Sequence, residues 1–339
     1  MADKTVVELN AADPELDALR EALRRSQRDL ARAKARKEDL VEAVLIAARD
    51  AAVLAGRPTI ATVAKDRRRH GEEVALLHAT DWQGGKVTVS FSLDVLAERI
   101  RLFANKVTRI TDAQRADHPV RRCVLMLGGD MVEGVNIFPG QAWEVDATLY
   151  EQLFTVARIV EQLIVDLLAA FEHVDVVCEW GNHGRIGRKG EFPAIDNVDL
   201  ILYRMLAERS SDARVTWQYG TDWYQIVEIG NYKALLVHGD EIGTYSAHPV
   251  YAISGQVHRW KVGALPNREQ FSDCYQGHRH RSENYVLANG DYVYLTGSPE
   301  SGNQYASQHL AAMGRPAQRL HYVDPGLGRV TAEYTVWLD

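Results

Sequence analysis

Two hydrophobic spacings divide the chain. From residue 14 to 54 the apolar positions fall on a heptad. Leu16, Leu23, Leu30 and Val44 hold one position, and Leu19, Ala33, Leu40, Ala47 and Leu54 the other. This spacing predicts one long helix, a candidate coiled coil, with Ser26 and Lys37 interrupting the seam. Asp13-Pro14 supplies an N-cap and first-turn proline, and Gly56-Arg57-Pro58 a stop. Beyond Gly71 the pattern changes to short apolar runs alternating with amphipathic stretches. Strands are expected at Glu73–Ala79, Arg122–Leu127, Val174–Glu179, Lys233–Val237 and Tyr292–Thr296, and helices at Ser92–Val107 and Leu149–Phe171. Arg319–Val323 and Arg329–Trp337 read as closing strands. Alternating strands and helices predict an α/β core.

Composition narrows the class. Of 339 residues, 46% are hydrophobic and 25% charged, which are ordinary globular values and exclude wholesale disorder. No apolar run reaches the length of a membrane span, and the N-terminus lacks a signal peptide's apolar stretch. Three cysteines without a CxxC pair argue for a reducing, cytoplasmic compartment rather than a disulfide framework.

Charge is uneven. The net charge of −7 hides 15 basic against 12 acidic residues in 1–70, and 24 against 34 in the remainder. Residues 20–37 hold eight Lys or Arg against Glu21 and Asp29. A basic arm on an acidic body suits a polyanion or an acidic surface.

The chemistry lies in the polar turns. ATDWQGG carries Asp81 and Gln83, LGGDMVEG carries Asp130, and EWGNHGR carries Asn182 and His183. LVHGDE carries His238, and YQGHRH carries His278 and His280. Singly, a Gly-Asp or Gly-Asn after a strand is an ordinary turn. Together the blocks offer carboxylates, amide oxygens and imidazoles with no cysteine ligand. Such a set suits Mn²⁺, Mg²⁺, Fe or Zn²⁺. Seven candidates, Asp81, Gln83, Asp130, Asn182, His238, His278 and His280, exceed one tetrahedral ion and fit two ions sharing a carboxylate.

In the order and wording of these blocks, from about Glu73 to Pro299, the chain resembles the calcineurin-like metallophosphoesterases. DWQGGK and GNHGR are most similar to nuclease-type members, among them the nuclease subunit of double-strand-break repair and phage phosphoesterases. The resemblance implies an α/β/β/α four-layer sandwich over residues 71–339, with residues 1–70 as helical arm and connector. It implies that Asp130 bridges two divalent ions, Mn²⁺ foremost. Asp81, Gln83 and His280 would serve the first ion, and Asn182, His238 and His278 the second. His183 would contact the scissile phosphate and protonate the leaving oxygen, while metal-bound hydroxide attacks in line.

Two positions depart from the family. Gln83 replaces the usual histidine, so it either ligates as a harder oxygen donor or leaves the first ion unheld. Gly184 replaces the usual acidic residue, with Asp240 and Glu133 as candidates to supply its carboxylate. Arg185, Lys189, Arg279 and Trp82 are the expected substrate contacts, with Lys86 in the same basic loops. The functional expectation is a DNA nuclease, with the heptad of its N-terminal helix suggesting a homodimer. The alternatives are a small-molecule phosphodiesterase or phosphatase, and a catalytically weak scaffold using that helix.

Overall fold

The computed structural model describes residues 60–339 apart from 62, 69, 136, 139–140, 244–248, 266–268 and 301–313, together with residue 46. The expected N-terminal helix lies outside the described residues.

The first sheet has the order β11-β10-β1-β2-β3-β4. It comprises β1 (Val74–Ala79), β2 (Arg122–Leu127), β3 (His173–Cys178), β4 (Val215–Tyr219), β10 (Ala317–Asp324) and β11 (Arg329–Trp337). β1 to β4 run parallel, and β10 and β11 close the sheet antiparallel. The second sheet has the order β5-β6-β7-β9-β8. Its strands are β5 (Tyr224–Ile229), β6 (Tyr232–Val237), β7 (Asp273–Gln276), β8 (Glu283–Val286) and β9 (Tyr292–Leu295), with β6, β7 and β9 parallel.

Period-two alternation sends successive side chains to opposite faces. Val74, Leu76, Val124 and Met126 of the first sheet thus meet Ile229, Leu236, Tyr275 and Tyr294 of the second in a shared core. Helices α1 (Leu93–Gln114), α2 (Leu149–Ala170) and α3 (Val198–Arg209) accompany the first sheet. Thr148 starts α2 with a capping box to Glu151, and Leu153, Val156, Val160, Leu163 and Leu167 form its buried stripe. Helix α4 (Val250–Arg259) packs Ile253 and Val257 with Leu235, Val237, Cys274 and Val293 of the second sheet. The result is the two-sheet α/β sandwich implied by the resemblance. All three cysteines are buried free thiols.

Two elements that position the site were not anticipated, α3 and β7; α4, β4, β5 and β8, away from it, were not anticipated either. Strand β7 is only four residues long and carries Asp273 and Gln276, so no apolar run marks it. It nevertheless carries the Gly-His-Arg-His block. Parallel pairing brings the carboxyl ends of β1, β2 and β3 to one edge, and those of β6 and β7 to one edge of the second sheet. Direct contacts join these edges: His278 N donates to Asp81 Oδ1 and Oδ2 (both 2.9 Å), and His238 Nδ1 lies 2.9 Å from Gly128 O.

Candidate metal centre

The loops leaving these strands have unusual backbones. Among the described residues, the non-glycine positions with positive φ are Asp81 (55°), Gln83 (44°), Asp130 (52°), His278 (66°) and His280 (53°). All five are candidate ligands. The left-handed region costs an L-residue about 1–2 kcal/mol, so the surrounding contacts must hold each one there. Asp81 N donates to Gly129 O (3.0 Å) and Gln83 N to Asp130 O (2.9 Å), locking the first two loops side by side. Two glycines let the loops close on carboxylates. A Cβ at Gly181 would fall 2.0 Å from Asp130 Oδ1, and one at Gly277 2.2 Å from Asp81 Oδ2.

Asp130, His238 and His278 bring ligand atoms within 4.8 Å of one another, which marks a candidate metal site. His238 Nε2 is 3.0 Å from Asp130 Oδ2 and 3.2 Å from Asn182 Oδ1. Because Nδ1 of His238 faces Gly128 O, that nitrogen carries the proton and Nε2 is turned to the cluster. Burial opposes charge on His238, yet the Asp130 carboxylate outweighs it and raises the imidazole well above its usual range. Burial alone would raise the Asp130 carboxyl, but His238 and His183 hold it well below its usual range. Burial and the neighbouring His238 lower His278 to about 3. One carboxylate, one amide oxygen and two imidazoles fit a divalent ion.

Asp81, Gln83 and His280 form the other half. His280 Nε2 is 3.5 Å from Asp81 Oδ1, and its Nδ1 is 3.0 Å from Glu300 Oε2. The amide orientation that satisfies every neighbour has Gln83 Oε1 accepting from His280 Nε2 (3.1 Å). Gln83 Nε2 then donates to Glu133 Oε2 and Glu300 Oε2 (both 3.2 Å). Two buried carboxylates thereby turn the Gln83 oxygen towards His280, as an oxygen ligand requires. Burial disfavours charge on His280, but Asp81 and Glu300 raise it to about 10. An ion here must displace the Nε2 proton.

Lys86 is not a substrate-facing cation. It is buried, with Nζ 3.3 Å from Glu300 Oε1 and 3.9 Å from Glu133 Oε1. Glu300 was missed in the sequence because nothing local marks it. Asp199 was also missed. It accepts from Asp130 N (2.9 Å), Met131 N (3.1 Å), Val132 N (3.4 Å) and Gly181 N (3.0 Å), tying the second and third loops together. Its signal was the Asn197-x-Asp199 cap at the start of α3.

His183 N donates to Asp130 Oδ1 (2.7 Å), while its Nδ1 lies 2.9 Å from Glu133 O and 3.2 Å from Glu133 Oε2. Burial works against its charge, but Asp130 and Glu133 raise it to about 9. Of the expected substrate contacts, Arg185 and Lys189 converge on Asp240, Arg185 in a close ion pair and Lys189 at 3.5 Å. Asp240 is therefore engaged by these two cations, while the carboxylate paired with His183 is that of Glu133. Arg279 donates to Ile242 O (3.0 Å). Trp82 is fully buried and donates its indole N–H to Gln318 Oε1 (3.2 Å), so it presents no surface for stacking.

No protein-family profile matches the chain. The DNA polymerase II small subunit of two Halobacterium salinarum strains is 32% identical over 127 residues, 37% of this chain. The chain matches 22% of that relative's length. Among solved structures, a predicted phosphoesterase of Streptococcus pneumoniae overlays at TM-score 0.32 and 13% identity, covering 78% of this chain and 98% of the other. Vps29 of Entamoeba histolytica, complexed with zinc, overlays at TM-score 0.32 and 13% identity, covering 78% and 99%. A metallophosphoesterase of Sphaerobacter thermophilus overlays at TM-score 0.30 and 16% identity, covering 77% and 88%. Overlays this loose carry no weight, and the reading of the site rests on its own geometry.

Proposed function

We propose that this chain is a metal-dependent phosphodiesterase acting on DNA. The observation that carries the reading is the Asp130–His238–His278 cluster with His183 fixed beside it on the Asp130 carboxylate. Asp130, Asn182, His238 and His278 would hold one divalent ion, and Asp81, Gln83, His280 and Asp130 a second. Bound ions of this kind supply Lewis acidity and lower the pKa of water to about 7. Amide and imidazole donors bind without adding negative charge, so the site keeps positive charge for a transition state that gains negative charge. Mn²⁺ or Mg²⁺ is favoured over Zn²⁺ by the oxygen of Gln83.

His183 is the general acid. Its Nδ1 is occupied by Glu133, which leaves Nε2 to give a proton to the departing oxygen. Arg185 and Lys189, gathered on Asp240, would meet substrate phosphates. DNA is favoured by the basic stretch 20–37 and by the likeness to a DNA polymerase subunit.

The test is cleavage of single- and double-stranded DNA beside bis-p-nitrophenyl phosphate, in Mn²⁺, Mg²⁺, Zn²⁺ or EDTA. DNA cleavage in Mn²⁺ that Asp130→Asn abolishes, together with loss of bound metal, is expected. Nitrophenyl cleavage without DNA cleavage would move the substrate to small diesters. Inactivity on both would sink the enzymatic reading.

A further inference from the structure

The chain lacks an acidic side chain directly after His183, and the fold explains why. A Cβ at Gly184 would sit 2.1 Å from Asn197 Oδ1 and 3.0 Å from Asn197 Cγ. Asn197 cannot yield that space cheaply. Its Oδ1 caps α3 by accepting from Asp199 N (2.9 Å), and its Nδ2 donates to Gly181 O (2.8 Å). Gly184 O also accepts from Val198 N (2.7 Å), pinning the segment against the helix start. Any side chain at 184 would unseat the helix that carries Asp199.

We infer that Glu133, in the loop after β2, is the positioning carboxylate of His183, taking the role that position 184 is sterically barred from filling. This rests on the proposed function. Glu133 is fully buried, and its two oxygens are divided between tasks. Oε1 receives Gln141 Nε2 (3.1 Å) and faces Lys86 Nζ (3.9 Å), which offsets its charge. Oε2 faces His183 Nδ1 (3.2 Å) and, in the satisfied amide orientation, Gln83 Nε2 (3.2 Å). Gln141 Nε2 also donates to the Glu133 carbonyl (2.6 Å), so backbone and side chain are held by one amide. A carboxylate on Nδ1 fixes the ring's tilt and keeps a proton on that nitrogen. The imidazolium gives its Nε2 proton to the leaving oxygen and becomes neutral, keeping its Nδ1 proton hydrogen-bonded to Glu133.

The experiment compares the metal-loaded parent with Glu133→Gln on DNA and on bis-p-nitrophenyl phosphate, whose leaving group needs no protonation. The expected result is a roughly 10–100-fold fall in kcat on DNA, a change within about threefold on the nitrophenyl ester, and metal retained, because Glu300 still accepts from Gln83 Nε2. Equal loss on both substrates, no loss on DNA, or loss of metal would overturn the inference. Glu133→Asp keeps the charge opposite Lys86 and serves if the glutamine variant does not fold. It should show an intermediate loss with the same split between substrates, and absence of that split overturns the idea. Independently of turnover, the Nδ1 proton of His183 in ¹⁵N-histidine-labelled protein should resonate far downfield and move upfield in E133Q. An unmoved resonance overturns the positioning role even if the parent proves inactive on both esters, a result that would by itself refute only the proposed function.

Discussion

Acidification should destabilise the sandwich through His78, which lies between the sheets. Its ring is fully buried, with Nδ1 2.8 Å from Thr296 Oγ1. The buried Arg319 guanidinium donates to the same hydroxyl (3.3 Å). Burial, reinforced by the Arg319 charge, lowers His78 from 6.5 to about 3. Between those two values the unfolded chain binds a proton that the native state refuses, so stability rises with pH across the window and is lost as pH falls. With 6.5 for the unfolded side chain and about 3 for the folded one, the loss from pH 7 to pH 5 is about 2 kcal/mol. The imidazoles raised by carboxylates, His183, His238 and His280, act in the opposite sense. Their stabilisation is complete below pH 6.5 and lost as pH rises through the folded values, about 9 for His183 and about 10 for His280. Comparison with His78→Gln cancels them. Urea unfolding of metal-free parent and variant at pH 7 and pH 5 should give a pH-dependent loss about 2 kcal/mol smaller in the variant. The same pH dependence in both proteins would refute the buried neutral histidine.

Other substitutions separate the site's parts. His183→Ala should retain metal but slow DNA cleavage about 10²–10⁴-fold, with a much smaller effect on the nitrophenyl ester; parent rates on DNA would remove the general acid. Gly181→Ala deletes no ligand yet aims a methyl group 2.0 Å from Asp130 Oδ1, so metal content measured by mass spectrometry should fall. Full metal loading would show that the loop relaxes. Asp199→Asn turns an NH₂ group towards two of the four backbone donors, and should cost about 3 kcal/mol in urea unfolding along with metal affinity. Stability and metal affinity equal to the parent's would discount its tie between the loops.

Much of the chemistry is local and therefore readable in the chain. A strand followed by Gly-Asp or Gly-Asn-His is encoded within a dozen residues, because burial sets the apolar run and the turn demands small or polar residues. That is why Asp130, Asn182, His183 and His238 could be named without coordinates. Strand β7 escaped because four residues containing Asp273 and Gln276 have no period to detect.

What tertiary structure alone decided is which distant groups surround those candidate ligands. Glu300 reaches His280 and Lys86 only because the parallel β6-β7-β9 edge abuts that of β1-β2-β3. The same closure buries Trp82 and Lys86, which in sequence look like loop residues offered to a substrate. It also makes Glu133 serve both His183 and Gln83, residues 50 positions apart on either side of it. Sequence pattern reports whether a position faces the core. It does not report which charge it will meet there, because that depends on sheet pairing across hundreds of residues.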